Sequence, residues 1–281
     1  MNKRTLHILQ RIGFWILIIA IFIYLMFPFY WALISALKTQ RELIQTPATL
    51  WPDEPTLQNF RAVLSSQTFL RALWNSTLVS VAVTALSLVV GSFAGYALGK
   101  MRFRGKTPSL YVILAMTMFP QIAVLAGLYA VIRVLNMPAI PSMILSYMLF
   151  TLPFTVWVLT SFFRGLPDSL LQAAQVDGAT MMQSFVYVLL PLAAPAMVTT
   201  GLLAFIQAWN EYLFALTFTI IEEQSRTVPV AIALFTGEVA RQEPFGEIMA
   251  AAVIVTIPLV ILVLLFQNRI VEGLTAGSVK G

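Results

Sequence analysis

The chain has 281 residues, 59% of them hydrophobic and only 10% charged, with a formal net charge of +5 and no cysteine. Soluble domains are about 45–50% apolar and about 25% charged, so this composition, with a mean hydropathy of +0.86, excludes an ordinary soluble protein and predicts an all-α integral membrane one. Thiol chemistry is excluded, and the one histidine, His7, lies in a basic N-terminal tail, which excludes a histidine metal site within the membrane. The basic balance fits positively charged cytoplasmic loops better than nucleic acid.

Residues 1–12 form a short tail with Lys3, Arg4 and Arg11, expected in the cytoplasm. Residues 13–37 carry no charge and exceed the roughly 20 apolar residues a span needs, so they are expected to be an uncleaved first span. Residues 38–71 are polar, rich in proline and nearly neutral, an outside loop with one amphipathic helix expected around 57–70. Residues 72–99 form the second span, with Gly91, Gly95 and Gly99 four apart on one helix face, a pattern that lets helices approach closely in lipid. That face serves either packing within the chain or a subunit interface.

The next loop, KMRFRGK at 100–106, holds four basic residues and no acid, which places it in the cytoplasm. Spans three and four are expected at 107–132, with Pro120 and Gln121 inside, and at 142–163, broken by Pro153. A loop at 164–191 leads to span five at 192–220, an outside loop with five acids and two arginines at 222–247, and span six at 248–268. A short tail at 269–281 returns to the cytoplasm. The whole of 13–268 therefore reads as one permease-like domain of six transmembrane helices, with both termini cytoplasmic.

The loop at 164–191 is the most organised polar stretch. Pro167, Asp168 and Ser169 are helix-start residues, and Ser169 followed by Gln172 fits a capping box. An unbroken run through Ala173 and Ala174 ends at Asp177 and Gly178, where a helix needs a left-handed stop. A second helix then runs toward Pro191. The apolar residues Leu170, Leu171, Ala174 and Val176 would lie partly bare on the cytoplasmic side without a partner groove.

Chemistry-bearing motifs are missing from the sequence. It holds no GxxxxGK[ST] phosphate loop, no HExxH and no GxSxG elbow, so neither nucleotide binding of the P-loop kind nor catalysis is expected of this chain, and no metal or cofactor. Glu211 is the only carboxylate within an expected span. Such residues often mark a pathway, and Gln207, Trp209 and Asn210 beside it would suit a sugar, whose apolar face stacks on rings and whose hydroxyls pair with amides. Equally, Glu211 could meet interfacial water at the outer end of span five or pair with another helix.

Ala173, Ala174, Gly178, Val188, Leu190 and Pro191 fall on the places of the EAA loop of ABC-importer permeases, with Gln172 where the usual glutamate stands. PTLQNF at 55–60, AWNEYLFAL at 208–216 and GLTAGSVKG at 273–281 further resemble carbohydrate-importer permeases of the maltose-transporter type, in particular the smaller permease, similar to that system's G subunit. The resemblance covers essentially the whole chain. It implies a bacterial or archaeal cell membrane, a second homologous permease, two ATPase subunits that hold ATP and Mg, and an extracytoplasmic sugar-binding protein. It also implies that Ser169, Gln172, Ala173, Ala174, Asp177, Gly178 and Pro191 belong to a cytoplasmic coupling helix docked on the ATPase. Gly277, Ser278 and Lys280 of the tail would reach the ATPase interface. The cargo would be a di- or oligosaccharide, with the central sugar site mainly in the partner permease. The rival readings are a secondary transporter driven by an ion gradient, which needs coupling-ion ligands at the midplane, and a structural membrane subunit that assembles a complex.

Overall fold

The structure is a computed structural model and describes residues 3–220, 222–235 and 244–276. Every regular element among them is a helix: α1 (Lys3–Ala36), α2 (Gln40–Leu43), α3 (Gln58–Ser65), α4 (Gln67–Lys100), α5 (Lys106–Thr117), α6 (Gln121–Val134), α7 (Ala139–Gly165), α8 (Ser169–Val176), α9 (Met181–Ser184), a π-helical turn at Phe185–Leu189, α10 (Leu190–Leu192), α11 (Ala194–Trp209), α12 (Leu213–Thr219), a 3₁₀ turn at Glu223–Ser225, α13 (Val228–Ala233) and α14 (Phe245–Ala276). Among the described residues four helices are long and apolar enough to cross a membrane, or up to six if each of two bent helix pairs is one span. The chain divides into two units, Met1–Gln67 with Leu234–Ile257, and Thr68–Ala233 with Pro258–Gly281.

In the first unit, α1 ends on carbonyls that have no partner within the helix. The Asn59 amide supplies one, donating to the carbonyls of Ala36 and Lys38 at 2.9 Å each. Lys38 is only 2% exposed. Its ammonium lies 5.1 Å from the centre of the Trp31 ring and donates to the Thr49 carbonyl. Glu42 accepts from the Thr49 hydroxyl at 2.8 Å and from the Asp53 backbone N–H at 3.0 Å. A buried charge needs such partners, and here they pin a proline-rich segment without regular structure. The helix expected around 57–70 is divided at Ser66, which ends α3 in an extended conformation, so α4 starts at Gln67 rather than 72.

In the second unit, α4 lies along α7 through its glycine face. A Cβ at Gly91 would stand 2.6 Å from Thr155 Cγ2, at Gly95 2.9 Å from Leu159 Cβ, and at Gly99 2.9 Å from Phe163 Cβ. The face is thus used for packing within this chain. A buried hydroxyl pair, Ser87 with Thr151 at 2.9 Å, adds a polar link between the same two helices. Pro153 does not break α7, which runs unbroken through it. Nearby hydroxyls of Thr151 and Thr155 bond back to carbonyls one turn earlier, in keeping with the tolerance of membrane helices for proline.

Two segments expected as single spans are bent. The third is α5 and α6, which turn by 97° about residues 118–120. Pro120 cannot donate to the preceding turn, and it takes an extended conformation before α6. The fifth begins well before 192: Met181–Leu192 and Ala194–Trp209 meet at 73° around Ala193, between Pro191 and Pro195. The π-helical turn just before Pro191 fits the usual causes of such irregularity. The chain breaks again at 210–212 before α12.

Candidate functional site

The loop between α7 and α11 is built on a rigid aromatic base. Phe185, 1% exposed, stacks on Tyr96 of α4 with centroids 4.8 Å apart, and meets Phe93 at 5.1 Å and Phe163 of α7 at 6.1 Å. Such ring pairs add about 0.5–1.5 kcal/mol each beyond their buried area. Leu171 of α8 packs against this cluster.

Lys100, the last residue of α4, ties the start of the loop. Its ammonium donates to the Leu166 carbonyl and to the Asp168 carboxylate, with the lysine side chain buried and the aspartate exposed. That hydrogen bond, and then the charge of Lys100, hold the Asp168 carboxyl below its ordinary value. A carboxylate lowered in this way stabilises the contact above its unfolded value and loses it only as pH falls through the lowered one. The tether is therefore expected to stay intact between about pH 5 and 8, which a proteolysis profile of the loop against pH would check.

The expected Ser169–Gln172 capping box does not form. Asp168 is the residue before the helix, no side chain caps the start of α8, and Ser169 already lies within it. The box is found one helix later: Thr180 N–H donates to Gln183 Oε1 at 2.8 Å, and Gln183 N–H donates to Thr180 Oγ1 at 3.3 Å. The stop at Gly178 is as expected. Its φ is +84°, Ala179 N–H bonds the Ala174 carbonyl at 2.9 Å, and Gly178 N–H bonds that of Gln175 at 3.1 Å. These are the two bonds of a Schellman motif.

The faces of α8 differ from the expected division. Ala174 is buried and Leu170 and Leu171 are half-buried, turned toward the chain. Gln172, Ala173, Gln175, Val176 and Asp177 are exposed, as is Pro191 further on, with Val176 at 88%. Of the four residues expected to lie partly bare, Val176 is bare, Leu170 and Leu171 are so in part and Ala174 is not, while Met181, Met182 and Tyr187 are exposed as well. Sequence reasoning missed Met181, Met182 and Tyr187, and missed Lys100, which counted only as a topology charge. The signal for α9 was present, since Thr180 followed by Gln183 is itself a capping-box pattern. Gly277, Ser278 and Lys280 lie outside the described residues.

The second candidate group sits at the end of α11. Trp209 is 4% exposed and stacks on Phe205 at 5.5 Å. Gln207 and Asn210 are exposed, and the Asn210 amide donates back to the Ile206 carbonyl at 2.9 Å. Glu211 turns onto the next helix: its two oxygens accept from the backbone N–H groups of Phe214 at 2.9 Å and Ala215 at 3.0 Å. The carboxylate thus caps α12 across the break, satisfying two donors that the helix cannot. The four residues are consecutive or nearly so, but Trp209 is directed into packing while Gln207 and Asn210 are exposed. Among the described residues no group of His, Cys, Asp or Glu could hold a metal ion.

Residues 87–275 match the family described as "Binding-protein-dependent transport system inner membrane component". The trehalose transport system permease SugB of Mycobacterium tuberculosis is 38% identical over 97% of this chain and 99% of its own length. The trehalose/maltose transport system permease MalG of Thermococcus litoralis is 40% identical over 98% of this chain and 99% of its own. The fold matches that of a bacterial ABC transporter involved in alginate import, with a TM-score of 0.81, 21% identity and coverage of 95% of this chain and 98% of that one.

Proposed function

Because the chain belongs to the binding-protein-dependent transport system inner membrane components, we propose that it is one of two permeases of an ATP-driven importer for a carbohydrate of di- or oligosaccharide size. The relatives' names support the cargo class, since they specify trehalose and maltose. Two ATPase subunits on the cytoplasmic side bind and hydrolyse ATP with Mg. An extracytoplasmic protein delivers the sugar, and both termini of this chain face the cytoplasm.

The observation that carries the coupling role is the α8–α9 unit: a short helix closed by a left-handed glycine, with bare Val176, Met181 and Met182, held on buried aromatic rings. Exposed apolar groups on a rigid mount suit a partner groove. Closure of the ATPases then moves α8, and the motion passes through Lys100 into α4 and through Phe185 into α4 and α7. The residues that face the partner are Gln172, Ala173, Val176 and Asp177, while Ser169, Ala174 and Gly178 shape the helix and Pro191 starts its return into the membrane. Glutamine in place of the usual glutamate leaves position 172 without a charge for an ion pair. The tail residues Gly277, Ser278 and Lys280 are proposed to reach the ATPase interface.

Purification of the tagged chain from its host tests this directly. Recovery with a second permease and a P-loop ATPase is the expected result. Recovery as a homo-oligomer that still moves solute, or uptake abolished by an ionophore but insensitive to ATP depletion, would overturn it.

Lys100→Met is expected to insert normally yet lower sugar uptake several-fold, with faster proteolysis between 166 and 180. Asp168→Asn should have an effect within about twofold, because water already competes for an exposed carboxylate. Gln207, Trp209, Asn210 and Glu211 are proposed to flank the outer part of the pathway, with Glu211 acting by shaping the break. Glu211→Gln, which keeps one acceptor, should retain most uptake. Glu211→Ala loses both and should lower thermal stability by about 1–2 kcal/mol, the usual size of a lost helix cap. A gradient-driven carrier using this carboxylate would instead lose all uptake in Glu211→Gln.

A further inference from the structure

A cavity of about 320 Å³ lies between α5 and α7, lined by Lys106, Thr107, Leu110, Tyr111, Trp157, Thr160, Ser161 and Arg164. Its charge is one-sided. Lys106 is within electrostatic reach of Arg164, Arg102 and Lys100, and the one acid in reach, Asp168, is already taken by Lys100. Among the described residues Arg164 has no ion-pair partner. Lys106 spends two of its three protons on the carbonyls of Gly99 at 3.3 Å and Met101 at 3.2 Å, leaving one. The cavity also meets the start of α5, where Gly105 supplies no side-chain cap for the N–H groups of Lys106 and Thr107. Thr160, 2% exposed, lines the wall, and its buried hydroxyl has no partner among the described residues. Tyr111 and Trp157 are exposed beside these polar groups. Amphipathic rings of this kind sit at the level of lipid headgroups.

We propose that this cavity binds a phosphate-bearing anion presented by an anionic phospholipid headgroup on the cytoplasmic face. Arg164, the spare Lys106 proton and the start of α5 hold the phosphate, and the acyl chains leave past Tyr111. Basic pockets between membrane helices on this side bind such headgroups. Only the cytoplasmic placement of this cavity rests on the proposed function. Since Arg164 stands two residues before Leu166, an occupied cavity would place a lipid next to the junction that Lys100 ties.

The test uses the full chain, purified in mild detergent with its accompanying subunits and titrated with phosphatidylglycerol or phosphatidylcholine. Bound lipid is counted by native mass spectrometry. Phosphatidylglycerol should be retained preferentially. Arg164→Gln should lower its retention about fivefold, the factor one basic group contributes near an anionic surface. Ser161→Phe, which fills the cavity, should lower it similarly, and Arg133→Gln should not. Inorganic phosphate at the lipid's concentration should fail to displace it. Equal retention of the two lipids, no change in either cavity variant, or displacement by phosphate would overturn the proposal. So would binding seen only after the other subunits are stripped away, which would mean that an acidic partner segment covers the cavity. Any of these with ATP-driven uptake intact removes the lipid site alone and leaves the importer reading standing.

Discussion

In Gly178→Asp, sugar uptake should fall by about an order of magnitude while the protein still inserts and folds. The reason is confined to the backbone. A Cβ at Gly178 would meet nothing within 4 Å, so no clash arises. The residue nonetheless holds φ at +84°, a conformation that costs an L-residue roughly 1–2 kcal/mol. The strain is relieved by abandoning the two bonds that close α8, and then α9 no longer leaves α8 at its set angle. A change of about 1.4 kcal/mol shifts the share of correctly shaped loops about tenfold. Uptake and ATP hydrolysis measured together in reconstituted vesicles should show hydrolysis uncoupled from transport, or ATPase subunits lost on washing. Unchanged uptake with the ATPase still bound would sink the coupling role of this loop.

Gly95→Leu should have a larger effect of a different kind: little folded protein. Here the conformation is ordinary and the space is missing. An added Cβ would lie 2.9 Å from Leu159 Cβ and 3.1 Å from the Thr160 backbone nitrogen. Backbone cannot rotate aside, so α4 and α7 must separate, and overpacking of even one methyl typically costs about 1–3 kcal/mol. Gly201 offers the graded comparison, because its nearest neighbour is Leu88 Cδ1 at 2.9 Å, the free end of a flexible side chain. Gly127, with nothing within 4 Å, should accept alanine without loss of packing. Monodisperse yield after detergent extraction should therefore rank Gly127→Ala above Gly201→Ala above Gly95→Ala, with Gly95→Leu lowest. Equal yields across the series would refute close packing of α4 on α7.

Hydropathy made the all-helical membrane class legible, and the glycine spacing in α4 pointed to a close-packed face. Direction was not legible. The segments around Pro120 and Pro153 look alike as apolar runs with an internal proline, yet one bends by 97° and the other runs on as one helix. What differs is tertiary: α7 is buried against α4 on both sides of Pro153, whereas α5 has no buried residue to hold its axis in line. The same limit applies to capping. Ser169–Gln172 and Thr180–Gln183 carry one signature, and only the second forms, since Asp168 takes the capping position of α8 while its carboxylate is engaged by Lys100, 68 residues away. Gly178 was legible because its requirement is local. The exposure of Met181, Met182 and Tyr187 was not, because it depends on which side of the loop the aromatic cluster occupies.

The helix α8, SLLQAAQV, contains no ionisable side chain. If it seats in a partner, the attachment gains little from long-range attraction, which ionic strength screens within about 10 Å at 0.1 M salt. It draws instead on removing apolar surface from water, a driving force that weakens on cooling and strengthens with excluded osmolytes. With Asp177 the one charge among the residues proposed to face the partner, the joint between membrane and motor would then depend only weakly on salt and be sensitive to cold, so chilling would slacken transmission before it slowed the pathway's own packing.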